Sequence, residues 1–482
     1  MRFRQAIWDE PLLFERRSNE VAPPKEGLVP RALERKELDL PNLPEWEVVR
    51  HFTRLSEMTF GIDSGFYPLG SCTMKFNPKV HEELAAVAQV RRAHPYQDPA
   101  TVQGCLRVLY ELQEILAKIG GMDAVTLQPA AGAQGEFTGL LLARAYHADR
   151  GDGSRNEVLL PDTAHGTNFA SAGMLGFKVV EVPSAHGQVD LAALKKAAGP
   201  RTLALMLTNP NTLGIFETRV LDIADIVHDA GGLLYYDGAN FNAILGRTNP
   251  GAMGFDMLHF NLHKTFTTPH GGGGPGVGPV GVKKHLEPYL PVPQVAFDGS
   301  RYALDYDRPK SIGKVRAWYG NFALLLRAYA YILSQGSDGL AWVTNRAVLN
   351  ANYLMARLAP LLEVPFGGLR KHEFVASGAK LKERGLRTMD LAKRLMDYGV
   401  HPPTVYFPHL IDEAIMPEPT ETESKETLDA FAETVAEILK EDPELVRTAP
   451  HNTTAKRVDE VLAAREPILS WRMWQKKKQK SA

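Results

Sequence analysis

Between residues 133 and 240 the chain repeats one pattern: a helical periodicity, then a short apolar run, then a polar residue closing the run. Residues 133–148 carry helical spacing, and Val158-Leu159-Leu160 is an apolar run closed by Pro161-Asp162. A second run, 203–207, ends at Thr208-Asn209-Pro210. A helical stretch over 221–230 stops at Gly231-Gly232, and Leu233-Leu234-Tyr235-Tyr236 then runs into Asp237. Upstream, Leu106, Leu109, Leu112 and Leu116 share a helical face that stops at Gly120-Gly121. Runs that are apolar throughout belong to strands covered on both faces, so the pattern predicts an α/β fold with a mostly parallel sheet and helical crossovers. In such sheets ligands sit beyond the carboxyl ends of the strands. That makes residues 162–165, Thr208-Asn209 and residues 237–240 the candidate site segments.

The flanks read differently. Residues 1–100 are punctuated by Pro23-Pro24, Pro30, Pro41 and Pro44, a density that disfavours long helices. With Trp46, Phe52, Phe60, Phe66 and Tyr67 among them, this segment is expected to be an extended arm that packs on another surface. The alternation fades after residue 330, where a helix over 321–333 leads out of the large domain (101–330). Residues 331–482 mix helices (428–439, 458–465) with a few apolar runs, as a smaller α+β C-terminal domain would. The 55 basic and 56 acidic residues leave a formal charge of −1, which excludes a generally basic nucleic-acid binder. No apolar stretch is long enough for a membrane span, and the basic tail 476–480 reads as a solvated end. Cys72 and Cys105 fit neither zinc-site spacing nor a disulfide framework, and the first ten residues lack an apolar leader. A cytoplasmic protein with no nucleic-acid or membrane partner is expected.

Chemistry concentrates around Lys264, which follows an apolar alternating run and precedes a hydroxyl- and glycine-rich loop. A lysine so placed can be desolvated and act as a nucleophile; alone it would read as a surface residue. Asp237, at the end of a buried strand, can pair with the ring nitrogen of pyridoxal phosphate. Gly132-Ala133-Gln134 opens a helix, where small residues admit a phosphate to free N–H groups. The three together point to an enzyme that joins its cofactor to a lysine. His165 also follows a strand end and can lie over the cofactor ring. His259, His263 and His270 look superficially like a metal cluster. An i, i+4 pair needs a helix, however, and the segment after Thr265 is full of helix breakers, so no metal is expected. The run 271–274 lacks the Gly-Lys-Ser/Thr ending of a phosphate-binding loop of nucleotide enzymes and reads as backbone flexibility beside the lysine.

Longer segments carry a family resemblance: Tyr67-Pro-Leu-Gly-Ser-Cys-Thr-Met-Lys-Phe-Asn-Pro78, His94-Pro-Tyr-Gln97, Gln128-Pro-Ala-Ala-Gly-Ala-Gln-Gly-Glu136, Asn261-Leu-His-Lys-Thr265, Arg387-Thr-Met-Asp390, His401-Pro-Pro-Thr-Val-Tyr-Phe407, Glu418-Pro-Thr-Glu-Thr-Glu-Ser424 and Thr448-Ala-Pro-His451. Spanning nearly the whole chain, they resemble the P-protein family of the glycine cleavage system, glycine dehydrogenase (decarboxylating), in the split form whose catalytic chain is subunit 2. The resemblance implies fold type I of the pyridoxal-phosphate enzymes. It makes Lys264 the Schiff-base lysine, Asp237 the ring-nitrogen partner and His165 the stacking residue, with Gly132, Ala133 and Gln134 as phosphate cup. Asn209 is expected at the cofactor phenolic oxygen by fold analogy, and Ala239, Asn261 and His263 complete the expected cofactor-binding set. The implied reaction is decarboxylation of glycine with transfer of the aminomethyl group to the lipoyl arm of H-protein. The implied partner is subunit 1, in an α2β2 heterotetramer. Arg316 and Arg301 are candidates for holding the glycine carboxylate, and Ser71, Cys72 and Thr73 for lining the lipoyl path. Asp390 and Glu373 read as structural. Two alternatives stay open: another enzyme of the same fold type, such as an aminotransferase or a cysteine desulfurase using Cys72, and a non-catalytic scaffold subunit.

Overall fold

The structure, a computed structural model, describes residues 3–16, 30–33, 40–271 and 276–481. Pro23-Pro24 and residues 272–274 of the glycine run lie outside the described residues.

The N-terminal segment is less extended than its prolines suggest. Helix α1 (Glu45–Glu57) starts directly after Pro44 and α2 (Lys79–Ala85) directly after Pro78. Proline just before a helix removes no helical hydrogen bond, so here it marks where helices begin instead of preventing them. Between the two helices the chain crosses onto the C-terminal third. Gly70 N–H donates to the Met416 carbonyl at 3.0 Å, Leu69 bridges Pro417, and Phe66 is buried in the C-terminal core. Trp46, Val49 and Phe52 on α1 remain exposed.

Helix α3 (Gln103–Gly120) buries Leu106, Leu109, Leu112 and Leu116 and closes at Gly121, in the left-handed conformation with φ 66°. Leu112 and Leu116 are completely enclosed, worth about 2 kcal/mol each by area. The large sheet follows: β1 (Ala124–Thr126), α4 (Gly132–Asp149), β2 (Glu157–Pro161), α5 (Gly166–Met174), β3 (Lys178–Val182), β4 (Thr202–Thr208), α6 (Val220–Asp229), β5 (Leu233–Gly238), β6 (Met257–Phe260) and β7 (Val280–Val282). Its seven strands lie in the order β1-β7-β6-β5-β4-β2-β3. Only the pairings of β7 with β1 and β6 are antiparallel; the others are parallel. Every residue of β4 and β5 is buried. Successive side chains alternate between two cores: Leu205, Leu207, Leu234 and Tyr236 enter one, while Ala204, Met206, Leu233 and Tyr235 enter the other. Covering on both faces is why these strands read as unbroken apolar runs.

Helix α7 (Phe322–Leu358) extends well past the stretch its periodicity announced and is interrupted at Gly336. Leu324, Leu325 and Ala328 pack on the sheet core, whereas Leu354 and Leu358 belong to a second core. That core is built with β8 (Ala376–Ser377), α8 (Thr388–Met396), β9 (Thr404–Val405), β10 (Ala414–Met416) and α9 (Lys425–Ile438). The small sheet has the order β8-β10-β9 and is antiparallel. Among the described residues no helix is long and apolar enough to cross a membrane.

Candidate active site

Two strand ends and two helix starts converge on a cavity of about 200 Å³. Strand β5 carries Asp237 one residue before its end, and the chain leaving β6 supplies Asn261, His263 and Lys264. Helix α4 contributes Gly132 and Ala133 from its first turn, whose N–H groups have no intrahelical acceptors. His165 caps α5, its side chain accepting the Thr167 N–H, and its ring meets Phe407 edge-on at 5.3 Å. Ala239 lines the same cavity.

Electrostatics differ from side chain to side chain. Burial alone pushes the Asp237 carboxyl up, but the His259 ring at 3.4 Å, the Ala239 N–H at 2.9 Å and the Lys264 ammonium outweigh it. Its pKa therefore lies below the ordinary aspartate value and the group is ionised. His259 is fixed between the Tyr235 hydroxyl (2.6 Å) and the Asn261 amide (2.8 Å). Burial and the Lys264 charge push His165 down and His263 to about 2, so both rings are neutral. His263 and His270 meet edge-on at 4.9 Å. Lys264 Nζ donates to the Ser71 carbonyl at 2.7 Å, so the arm forms one wall of the lysine's surroundings.

Glu136 is a site residue that the sequence reading passed over. It accepts hydroxyls from Thr167 and Ser171, both at 2.9 Å. Burial, then the Asp237 charge, raises it to about 8, so it is a neutral acid at pH 7. Its signal is the helix face it shares with Gly132, Gly135 and Gly139. A Cβ on Gly132 would sit 2.2 Å from Asn261 Oδ1, one on Gly135 2.8 Å from His259 Cβ, and one on Gly139 2.2 Å from the Tyr235 ring. A glutamate on a face that close to the sheet has no solvent.

Several expectations need correction. Gln134 does not line the cavity with its side chain. Its oxygen accepts the Ala130 N–H at 2.6 Å and its amide donates to the Val315 carbonyl at 2.7 Å, tying the segment next to Arg316 to the start of α4. Asn209 lies outside the cavity, fully buried, with its oxygen accepting the Glu217 N–H at 2.9 Å, so it braces a turn. Arg301 is exposed on a turn, whereas Arg316 keeps a buried Nη1 without a partner among the described residues. Asp390 is held by Arg457 and the Arg387 N–H. Glu373, expected to be structural, accepts the Ser71 N–H at 2.6 Å and so holds the turn beside the lysine. Burial pushes the Cys72 thiol up to about 11, against the lowering by the Lys264 charge and with smaller additions from Glu418 and Glu373. That is the reverse of what a nucleophilic cysteine needs.

A mostly parallel seven-stranded sheet with a lysine past one strand end and an aspartate near the end of the neighbouring strand defines the α/β class of fold type I pyridoxal-phosphate enzymes. Residues 141–300 match the aminotransferase class-V family and residues 343–463 the glycine dehydrogenase C-terminal domain. The chain is 58% identical over 496 aligned positions, 99% of both chains, to a protein of Pyrococcus abyssi named "Probable glycine dehydrogenase (decarboxylating) subunit 2". It is 59% identical to the Bacillus licheniformis protein of the same name, over 90% of each. The chain belongs to the glycine dehydrogenase (decarboxylating) subunit 2 family. Among solved structures, an inhibitor-bound glycine decarboxylase (P-protein) superposes with a TM-score of 0.72 at 24% identity, covering 85% of this chain and 93% of that one. A cysteine desulfurase of Thermococcus onnurineus gives 0.61 at 17%, covering 78% and 95%. At these identities the two structures speak for the fold alone.

Proposed function

We propose that this chain decarboxylates glycine with pyridoxal phosphate held at Lys264 and passes the aminomethyl group to the lipoyl disulfide of H-protein, as the catalytic half of a split glycine dehydrogenase. The observation that carries the reading is Lys264 sharing one cavity with an ionised Asp237 and the open first turn of α4. These groups fit the cofactor. Gly132 and Ala133 leave N–H groups at the positive end of a helix for a phosphate, Asp237 holds a proton on the ring nitrogen, and His165 offers a neutral ring face. When bound, pyridoxal phosphate supplies the electron sink that makes loss of CO2 from glycine feasible. Lys264 moves protons at its Nζ, and the Ser71 carbonyl receives that group whenever it is free of the cofactor. The high thiol pKa of Cys72 disfavours the desulfurase alternative.

Full-length likeness to proteins named subunit 2 supports a subunit 1 partner in an α2β2 assembly. The exposed Trp46, Val49 and Phe52 give α1 an apolar face for such a neighbour. A cytoplasmic location accords with the reducing environment that the lipoyl chemistry and two free cysteines suit. The test is Lys264→Ala, co-produced with subunit 1. The covalently attached cofactor's absorbance and glycine–CO2 exchange should both vanish; full exchange would refute the assignment.

A further inference from the structure

Behind the turn that faces Lys264 stand three side chains with no exposed surface: His372, Glu373 and Glu418. His372 Nε2 lies 3.9 Å from Glu373 and 3.7 Å from Glu418, beyond hydrogen-bond reach. One polar atom from each of the three falls within 4.8 Å of the others. Among the described residues, neither ring nitrogen of His372 nor Oε1 of Glu418 has a hydrogen-bond partner. The other carboxyl oxygens hold the turn: Glu373 accepts the Ser71 N–H (2.6 Å) and the Asn240 amide (3.2 Å), and Glu418 accepts the Thr73 N–H (2.8 Å). Ser71 and Thr73 both adopt positive φ, 65° and 48°, a conformation that persists in such residues only where the surroundings over-determine it. Cys72, half-buried between them, feels both carboxyls and Lys264.

Charge bookkeeping fixes the state of this cluster. Neighbouring Glu421 is neutralised by Lys75 at 2.6 Å. What remains is two carboxyls and an imidazole facing one cation, Lys264. Two carboxylates this close in a dry site do not both ionise. Burial raises both, with Glu418 adding to the rise of Glu373 and Glu421 to that of Glu418, which reaches about 7, while burial and Lys264 hold the His372 ring at about 3. A proton therefore resides on a carboxyl oxygen at neutral pH.

We infer that the Glu373–Glu418 pair is the proton donor for opening the disulfide substrate, an inference that rests on the transfer reaction proposed above. The step balances. CO2 leaves its electron pair on the glycine-derived carbon, and that carbon bonds to one sulfur of the dithiolane. The S–S bond breaks, its electrons pass to the second sulfur, and that sulfur takes the proton of the pair. Over the cycle glycine makes good that proton, because it enters with an ammonium group and its nitrogen leaves on the product as a neutral amine.

The test has two arms. Infrared difference spectra of the intact chain, with and without cofactor, should show the C=O stretch of a neutral carboxylic acid that Glu373→Gln/Glu418→Gln removes; the Glu136 band stays. Gln keeps an oxygen for the Ser71 and Thr73 N–H groups, and the wild-type spectrum alone already reports the proton. In the complete enzyme with lipoylated H-protein, Glu418→Gln should slow aminomethyl transfer about 10²-fold, as loss of a general acid does, with cofactor and glycine affinities unchanged. Wild-type transfer should decline as pH rises above about 7, with Lys264, Cys72 and the Lys75–Glu421 pair as the other groups facing the cluster, and that limb should disappear in the variant. A purely structural role would instead lower cofactor uptake and depress the rate equally at every pH. Absence of the carboxyl band, variants that transfer at the wild-type rate with the wild-type limb, or a stoichiometric divalent metal on the three side chains would each overturn the inference. Failure of the wider reading would show in the unmodified enzyme, failure of this one in the variants alone.

Discussion

Lys75 offers the sharpest quantitative test of how the arm is fastened to the site. Its Nζ donates to Glu421 at 2.6 Å, to the Thr265 carbonyl at 2.8 Å and to Asn242 Oδ1 at 3.0 Å, with almost no exposed surface. Burial pulls the lysine down, yet the Glu421 carboxylate more than restores it, so the pair is ionised. Lys75→Met strands a buried carboxylate and two acceptors, a loss of about 3–5 kcal/mol for a broken buried pair. Asn242 donates its amide to Glu421 at 3.1 Å and places the cost at the lower end of that range. Glu421→Leu strands the ammonium at a similar cost, whereas the double variant leaves neither charge unpaired. The cycle read from denaturant unfolding should give a coupling of about 2–3 kcal/mol. Because Thr265 adjoins Lys264, Lys75→Met should also weaken cofactor retention. Single-variant effects that simply add to within about 0.5 kcal/mol would show that the pair does not hold the arm.

Three further outcomes follow from geometry. Gly132→Ala puts a methyl 2.2 Å from Asn261 Oδ1, so it should cost about 1–3 kcal/mol and loosen the cofactor phosphate, read by melting and by cofactor titration; unchanged affinity contradicts the placement. Asp256 is pulled to about 2 although burial opposes it, by His228, His285 and the Leu234 N–H. A depressed carboxyl stabilises above its unfolded value of 3.8 and loses that contribution as pH falls through about 2. Asp256→Asn should therefore flatten the acid limb of stability between those values, and an unaltered limb counts against it. Cys72, raised to about 11, should alkylate with iodoacetamide far more slowly at pH 8 than a free thiol and accelerate only toward that value; rapid labelling at pH 8 would be incompatible.

Local chemistry was legible in the chain and long-range chemistry was not. The buried strands announce themselves because β4 and β5 are covered on both faces, and Asp237 and Lys264 because one closes an apolar run and the other follows a strand end. Asn209 follows a strand end too, but its amide is consumed by the Glu217 N–H, a bond to a turn that periodicity does not reveal. Glu373 and Glu418 look like surface acids in sequence; only packing against a segment three hundred positions away deprives them of water. The prolines misled for a related reason. They break helices in the interior, yet Pro44 and Pro78 stand where a helix has no bond to lose.

The partners of the Ser71–Lys75 turn lie 302, 345 and 346 positions downstream. During synthesis the sheet, its aspartate and its lysine leave the ribosome before either carboxyl that will hold this turn has been made. Closing such loops is the slow part of folding, so the turn that caps the lysine takes shape only once the last domain has been built. Until then a nascent chain carries the nucleophile without its surroundings, and the arm that later walls it in has nowhere to dock. Truncated or stalled products should accordingly retain a core that folds while lacking the means to govern the amine they expose.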